Sequence, residues 1–247
     1  MNKIKYKLLA LLLLAVFSGW SKDFSLKKID TEYSRSLEKY FNKYTVCEIP
    51  LTEISNYVNQ CSAKINFGLE LSDRKFALQL ELNDMRGKSF KAIAMTDHGP
   101  EEIPQAIANT YKGITDDKAG NIVRLTIDEN TFEGYIIQNG QQFYCEPLKN
   151  FNPNAPANLF VIYDAADVKP NNTYGCAADE VKQEKQRWDN KKDVLNKMQT
   201  GNCYFAEIAT EADYEYYQTF ASAAVTLNRI RTILNQVEGL YISRGFT

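Results

Sequence analysis

Residues 131–147 read TFEGYIIQNGQQFYCEP. Asn139-Gly140 lies between the runs 131–137 and 142–145. Both residues tolerate positive φ, so the stretch predicts two antiparallel strands joined by a tight turn. The period of two continues on either side. Ile65, Phe67, Leu69 and Leu71 alternate with polar or small neighbours, and so do Phe76, Leu78, Leu80 and Leu82. Ser72-Asp73-Arg74 between them predicts a second hairpin. Val123, Leu125 and Ile127 alternate with Arg124 and Thr126, and residues 159–163 supply a further strand. The middle of the chain is expected to be a largely antiparallel β domain with one face of each strand buried.

The flanks follow other patterns. Leu37, Tyr40, Phe41 and Tyr44 recur at i, i+3, i+4 and i+7, which predicts one face of a helix within residues 23–44. A second short helix is predicted over residues 52–61. Residues 179–200 are dense in charge, with Lys191-Lys192 at their centre. They read as a solvated helix or a flexible linker, open to proteolysis in either form. Residues 204–210 are a strand candidate. Leu227, Ile230, Ile233, Leu234, Val237, Leu240 and Tyr241 then follow helical spacing, with Gly245 placed to end the helix. One strand and one amphipathic helix cannot enclose a core, so this last segment is expected to need apolar partners from elsewhere. The fold class is α+β: a mostly antiparallel β domain with N-terminal helices, followed by an incomplete α/β segment.

The N-terminus indicates export. Lys3, Lys5 and Lys7 precede the apolar run 8–17, which is too short to span a membrane comfortably. Ser18, Gly19 and Ser21 offer cleavage after position 18 or 21; the alternative is an uncleaved anchor. No later segment is apolar enough to span a bilayer, so the expected product is secreted. The 247 residues carry 29 basic and 31 acidic side chains, a balance that argues against a nucleic-acid footprint. Five cysteines in an exported chain make disulfides plausible, and the odd count leaves one thiol over.

Several short segments carry a resemblance. Glu207-Ile208-Ala209-Thr210-Glu211-Ala212-Asp213 resembles the first catalytic strand of reprolysin (adamalysin) type metzincin proteases of bacterial kind. The run from Asn228 through Ile230, Asn235, Val237 and Gly239 to Tyr241 resembles that family's first catalytic-domain helix. Upstream, Phe132-Glu133-Gly134-Tyr135-Ile136, Tyr144-Cys145-Glu146-Pro147-Leu148 and Leu159-Phe160-Val161-Ile162-Tyr163 resemble the family's propeptide, in the same order. Tyr111-Lys112-Gly113-Ile114-Thr115-Asp116-Asp117 is similar to bacterial propeptides of this type. The resemblance implies a signal peptide at 1–21, a propeptide-like β-rich domain at 22–178, a charged linker at 179–200 and the truncated start of a catalytic domain at 201–247.

The resemblance also implies candidate residues. Family propeptides often carry a cysteine whose thiolate closes the open zinc position, and Cys176 stands at that place; Ala177 follows it where the family usually has Gly. A disulfide from Cys176 to Cys145 or Cys203 is the alternative, and with Cys176 free, Cys47, Cys61, Cys145 and Cys203 could form two bridges. Glu207 stands where reprolysins often hold a structural calcium. The family's zinc motif, H-E-x-x-H-x-x-G-x-x-H, is absent, and the chain's one histidine, His98, lies in the turn-like Thr96-Asp97-His98-Gly99-Pro100. Zinc thus belongs to the full-length family member, with no cofactor expected on this chain alone.

Other signatures are incomplete. Gly87-Lys88-Ser89 ends like a phosphate loop but has Leu82 where the first Gly belongs. Asp116-Asp117 before Gly120 lacks calcium-loop spacing. Glu101-Glu102 reads as a solvated loop, and Asn171-Asn172-Thr173 is a glycosylation sequon. The resemblance implies the N-terminal part of a secreted zinc metalloendopeptidase precursor, inactive alone, whose propeptide keeps the protease latent and assists its folding. Its partners would be a downstream catalytic domain and, for the full enzyme, protein or peptide substrates. The alternative is a stand-alone exported β-rich module that binds or inhibits a metalloprotease in trans.

Overall fold

The computed structural model describes residues 22–61, 64–71, 74–115, 121–170 and 207–244. Its strands are β1 Lys22–Lys28, β2 Thr45–Glu48, β3 Ile65–Leu71, β4 Arg74–Leu82, β5 Ile93–Thr96, β6 Gly99–Glu102, β7 Thr110–Thr115, β8 Ile122–Ile127, β9 Phe132–Gln138, β10 Gln141–Pro147 and β11 Leu159–Asp164. Its α-helices are α1 Leu51–Gln60, α2 Tyr214–Phe220 and α3 Ala223–Ser243. Short 3₁₀ helices lie at Glu32–Lys39, Leu148–Asn150 and Ala165–Asp167. The fold is mixed, with mostly antiparallel strands and helical elements near the N-terminal end.

Nine strands close into a barrel in the order β1-β2-β11-β10-β9-β8-β7-β4-β3. Every neighbouring pair is antiparallel except β1–β3, which pair in parallel from Lys22↔Phe67 to Leu26↔Leu71 and complete the ring. Closure removes the open edges that would otherwise invite pairing with other chains. Strands β5 and β6 form a separate two-stranded sheet, with Ile93↔Glu102 and Thr96↔Gly99 in register.

The hairpin at residues 131–147 forms as the sequence predicts. Asn139 and Gly140 take φ of 53° and 80°, and Gln138 pairs with Gln141. Inside the barrel, Phe67, Leu69, Leu78, Leu80, Val123, Leu125, Phe132, Phe143 and Phe160 interdigitate with Cys47, Cys145 and the α1 residues Ile54 and Val58. A second cluster joins Leu37 and Phe41 to Val46, Leu148, Leu159, Val161 and Tyr163. These last strand residues alternate with the inward-facing ones, so the second cluster lies on the other face of β2 and β11.

Three expectations change. The helix read from Leu37, Tyr40, Phe41 and Tyr44 is a 3₁₀ helix that ends at Lys39, preceded by strand β1. The aromatic residues beyond it pack by stacking instead: Phe41 lies 4.1 Å from the Tyr163 ring, centroid to centroid. The pattern reported a shared contact surface, not a continuous helix. Second, β8 and β9 are buried on both faces, because α3 covers the outer one. Third, residues 207–213 are not a strand; they run without regular structure into α2, and residues 204–206 lie outside the described residues.

Candidate functional site

The most elaborate polar arrangement among the described residues lies between the barrel wall and α3. Its barrel side comes from outward-facing positions of β7, β8 and β9. Strand alternation places Arg124 and Thr126 on β8, and Glu133 and Tyr135 on β9, opposite the inward Val123, Leu125, Phe132 and Ile136. Arg124 and Tyr135 are cross-strand partners, so their side chains emerge side by side. The helix side comes from Thr226, Arg229, Thr232, Asn235, Gln236, Glu238 and Gly239. Ser222 caps α3 at its N-terminus, its hydroxyl oxygen accepting from the Val225 N–H.

The contacts are specific. Arg124 Nε donates to Glu238 Oε2 at 2.7 Å, and Arg124 Nη1 donates to the Val123 carbonyl at 2.9 Å. The Tyr135 hydroxyl donates to the Gln236 carbonyl at 2.9 Å. Arg229 pairs with Glu133. Asn235 is fully buried, and its Nδ2 donates to the carbonyls of Tyr111 and Leu125, at 3.3 and 3.2 Å. Those two residues face each other across β7–β8. Asn83, just beyond β4, donates through Nδ2 to Asn235 Oδ1 at 2.9 Å. Gly239 permits the close approach: a Cβ there would lie 2.4 Å from the Tyr135 hydroxyl and 2.5 Å from Arg124 Cγ.

Burial shapes the electrostatics. Desolvation raises the Glu133 carboxyl above its ordinary range, opposed by the positive charge of Arg229. Burial works against the charge on Arg229, and Glu133 overcomes it, so the guanidinium is held more firmly protonated than usual. The Tyr135 hydroxyl is also raised by burial, which keeps it a donor. Removing one partner of such a buried pair is costly, because the other charge is left without compensation.

The helix is thus mounted with its polar face inward. Ile233, Val237, Leu240 and Tyr241 are 42%, 38%, 36% and 59% exposed. Ile230, Ile233 and Leu234 also line a groove of about 380 Å³, closed on its other side by Thr210, Glu211, Ala212, Asp213 and Tyr216. Asp213 caps α2 by accepting from the Tyr216 N–H at 2.8 Å, which fixes the entry of the 207–213 segment. The barrel partners the last segment on its polar side, while Ile233, Val237 and Leu240 keep more than a third of their surface exposed.

The sequence-derived candidates fall elsewhere. Cys176, the charged stretch 179–200, Cys203, the sequon at 171–173, Asp116, Asp117 and Gly120 lie outside the described residues. Glu207 is exposed on the irregular segment ahead of α2. His98 is exposed at the β5–β6 turn, and its backbone N–H donates to Thr96 Oγ1 at 3.2 Å. Glu101 and Glu102 belong to strand β6 and not to a loop. Cys47, Cys61 and Cys145 are free thiols, so the two-bridge arrangement is not formed. Desolvation pushes the Cys47 thiol up to about 12 and the Cys145 thiol well above its usual value.

A zinc site does not fit the described residues: no group of three or more His, Cys, Asp or Glu among them is placed to hold a metal ion. Among them, no helix is long and apolar enough to cross a membrane. No protein-family model matches this sequence, and no curated protein matches it significantly. The α3 seat was missed by sequence reasoning because its residues come from five separated stretches. The one available signal was the polar face of α3, with Asn235 and Gly239 among residues of otherwise helical apolar spacing.

Proposed function

We propose that this chain is an exported, non-catalytic binding module that recognises a metzincin-type metalloprotease domain in trans. The observation that carries the reading is the orientation of α3. An amphipathic helix ordinarily buries its apolar face. Here the polar face is seated on the barrel, and Ile233, Val237 and Leu240 are presented outward, Ile233 at the rim of the groove beside residues 210–216. Covering that stripe would gain roughly 25 cal/mol for each Å² of apolar surface removed from water. A protein partner with an apolar face supplies such a cover, and the resemblance of residues 207–241 to the opening of a metzincin catalytic domain is what suggests that class of partner. Cys176 would then be offered to the partner's zinc as a sulfur ligand.

The test is inhibition. The purified chain is titrated into a separately expressed metzincin catalytic domain while hydrolysis of a fluorogenic peptide is followed. Dose-dependent inhibition is expected, weakened by Val237→Glu. Loss of inhibition in Cys176→Ser would assign the thiol to the zinc; unchanged inhibition would leave the α3 stripe as the whole interface. No inhibition and no binding at micromolar concentration would sink the reading.

A second reading is favoured by one observation. The segment that resembles the opening of a catalytic domain is held by the segment that resembles its propeptide, within a single chain. In a latent precursor the same apolar stripe would pack against the rest of a catalytic domain on the same polypeptide. Coding DNA that continues in frame past the Thr247 codon into H-E-x-x-H-x-x-G-x-x-H would decide for the precursor.

A further inference from the structure

We propose that the outer wall formed by β7, β8 and β9 is a receptor site for a helix, and that α3 occupies it as an exchangeable ligand. The partner class is defined by the seat: a helix that carries Arg, Asn, Glu and Gly in the spacing of Arg229-x5-Asn235-x2-Glu238-Gly239. This concerns the inner face of α3 and stands independently of the function proposed for its outer face.

Three observations carry it. First, both hydrophobic clusters are built without α3; none of its residues belongs to either. The barrel core is complete when the seat is empty. Second, the buried α3 positions are Thr226, Thr232, Asn235 and Gly239, with no large apolar side chain among them. An interface of that composition resembles a non-obligate contact between separate bodies more than the interior of one. Third, each contact reads a feature of the ligand. Arg124 reads a carboxylate at position 238, Glu133 a guanidinium at 229, and the paired Tyr111 and Leu125 carbonyls an amide at 235. The Tyr135 hydroxyl and Arg124 Cγ leave room only for glycine at 239. Thr126 Oγ1, buried on the same wall without a hydrogen-bond partner, shows that α3 leaves one polar group of the wall unused.

The experiment uses the full chain. Residues 188–194 are replaced by the recognition sequence of a site-specific protease, and the purified protein is cut there. The two fragments are expected to co-elute on size exclusion at moderate salt. A labelled synthetic peptide of residues 222–244, added in excess, is expected to displace the covalently separate α3 fragment. The same peptide with Gly239→Leu or Glu238→Lys should compete at least about tenfold less well, since each leaves a buried group clashing or unpaired. A barrel carrying Arg124→Glu should regain affinity for the Glu238→Arg peptide. Circular dichroism of the barrel fragment after α3 has been removed is expected to retain its β signal. An unfolded barrel would overturn the proposal, because α3 would then be part of the fold. Fragments that separate at once, or variant peptides that compete as well as the parent, would overturn it too.

Discussion

Gly134 faces the barrel interior with φ of +149°, and a Cβ there would lie 1.9 Å from the Arg124 carbonyl oxygen. The glycine in the Phe132-x-Gly134-x-Ile136 pattern therefore has a physical cause: β8 and β9 approach too closely for any side chain. Gly134→Ala is expected to cost more than about 1–3 kcal/mol, the range for backbone strain alone, since a backbone atom must also move. The midpoint of denaturant unfolding measures it, and an unchanged midpoint would contradict the geometry. The thiols make a second residue-scale case. Cys47 and Cys145 are buried in the inner cluster, whereas Cys61 is partly exposed. Burial holds both inner thiols protonated, and the thiolate is the reactive form. Alkylation of the native chain at pH 8, mapped by mass spectrometry, is expected to label Cys61 and spare Cys47 and Cys145. Full labelling of all three before unfolding would show that the core opens readily. At this scale the sequence was legible where a residue type carries its own constraint, as Asn139-Gly140 does. It was silent on Asn235, whose role depends on carbonyls more than a hundred positions away.

Elements show where periodicity is a sound guide and where it misleads. Strands β3, β4 and β8 were legible because apolar residues recur at every second position against the barrel interior, β9 and β10 because the Asn139-Gly140 turn joins them, and β11 as a short apolar run. Strands β1 and β2 were not: β1 reads KDFSLKK, with only Phe24 and Leu26 buried, and β2 has four residues. Ring closure, not local pattern, makes them strands. The α3 pattern predicted a helix correctly and an apolar face in need of partners from elsewhere, but it did not indicate that the polar face would be the one seated on the barrel. Apolar spacing tells which residues share a face, but the barrel offered arginine, glutamate and tyrosine at the wall, and the polar face matched them. Two outcomes follow for α3. Hydrogen exchange is expected to show its amides exchanging faster than those of β8 and β9, because a polar seat can open locally without unfolding the core. Equal protection in helix and barrel would mean that they unfold as one unit. Val237→Glu is expected to leave thermal stability within about 0.5 kcal/mol, the usual range for a surface change. A large loss would mean that the stripe is already covered.

The molecule as a whole is a barrel with two apolar clusters, one inside and one beneath the 3₁₀ helix Glu32–Lys39. Its stability is expected to decline on the alkaline side. The native state holds the Cys47 proton up to about 12, whereas the unfolded thiol releases it near 9.0. Tyr163 and Tyr135 are raised in the same direction, by desolvation first. Groups raised on folding add stability that is fully present below the unfolded value and is lost as pH rises through the folded one. Denaturant midpoints should therefore hold near pH 8 and fall between pH 9 and 12; a flat profile across that window would contradict the burial of these groups. The functional reading has its own whole-molecule consequence. The purified chain should hydrolyse no peptide, and chelator-sensitive hydrolysis by it would overturn the non-catalytic assignment.

From sequence alone came the β-rich middle, the Asn139-Gly140 turn, the helices near 51–60 and 223–243, and the absence of the zinc-binding motif. Each of these is local: it depends on residue types and spacings within a few turns or one hairpin. Closure of nine strands into a ring, the parallel β1–β3 seam and the seat of α3 were decided only in three dimensions. The reason is the same in each case. A strand's partner and a helix's buried face are set by the complementarity of surfaces that the chain brings together from distant positions. The outward position of Ile233 and Val237 follows from that choice, since a helix that commits its polar face to the wall turns its other face away from it.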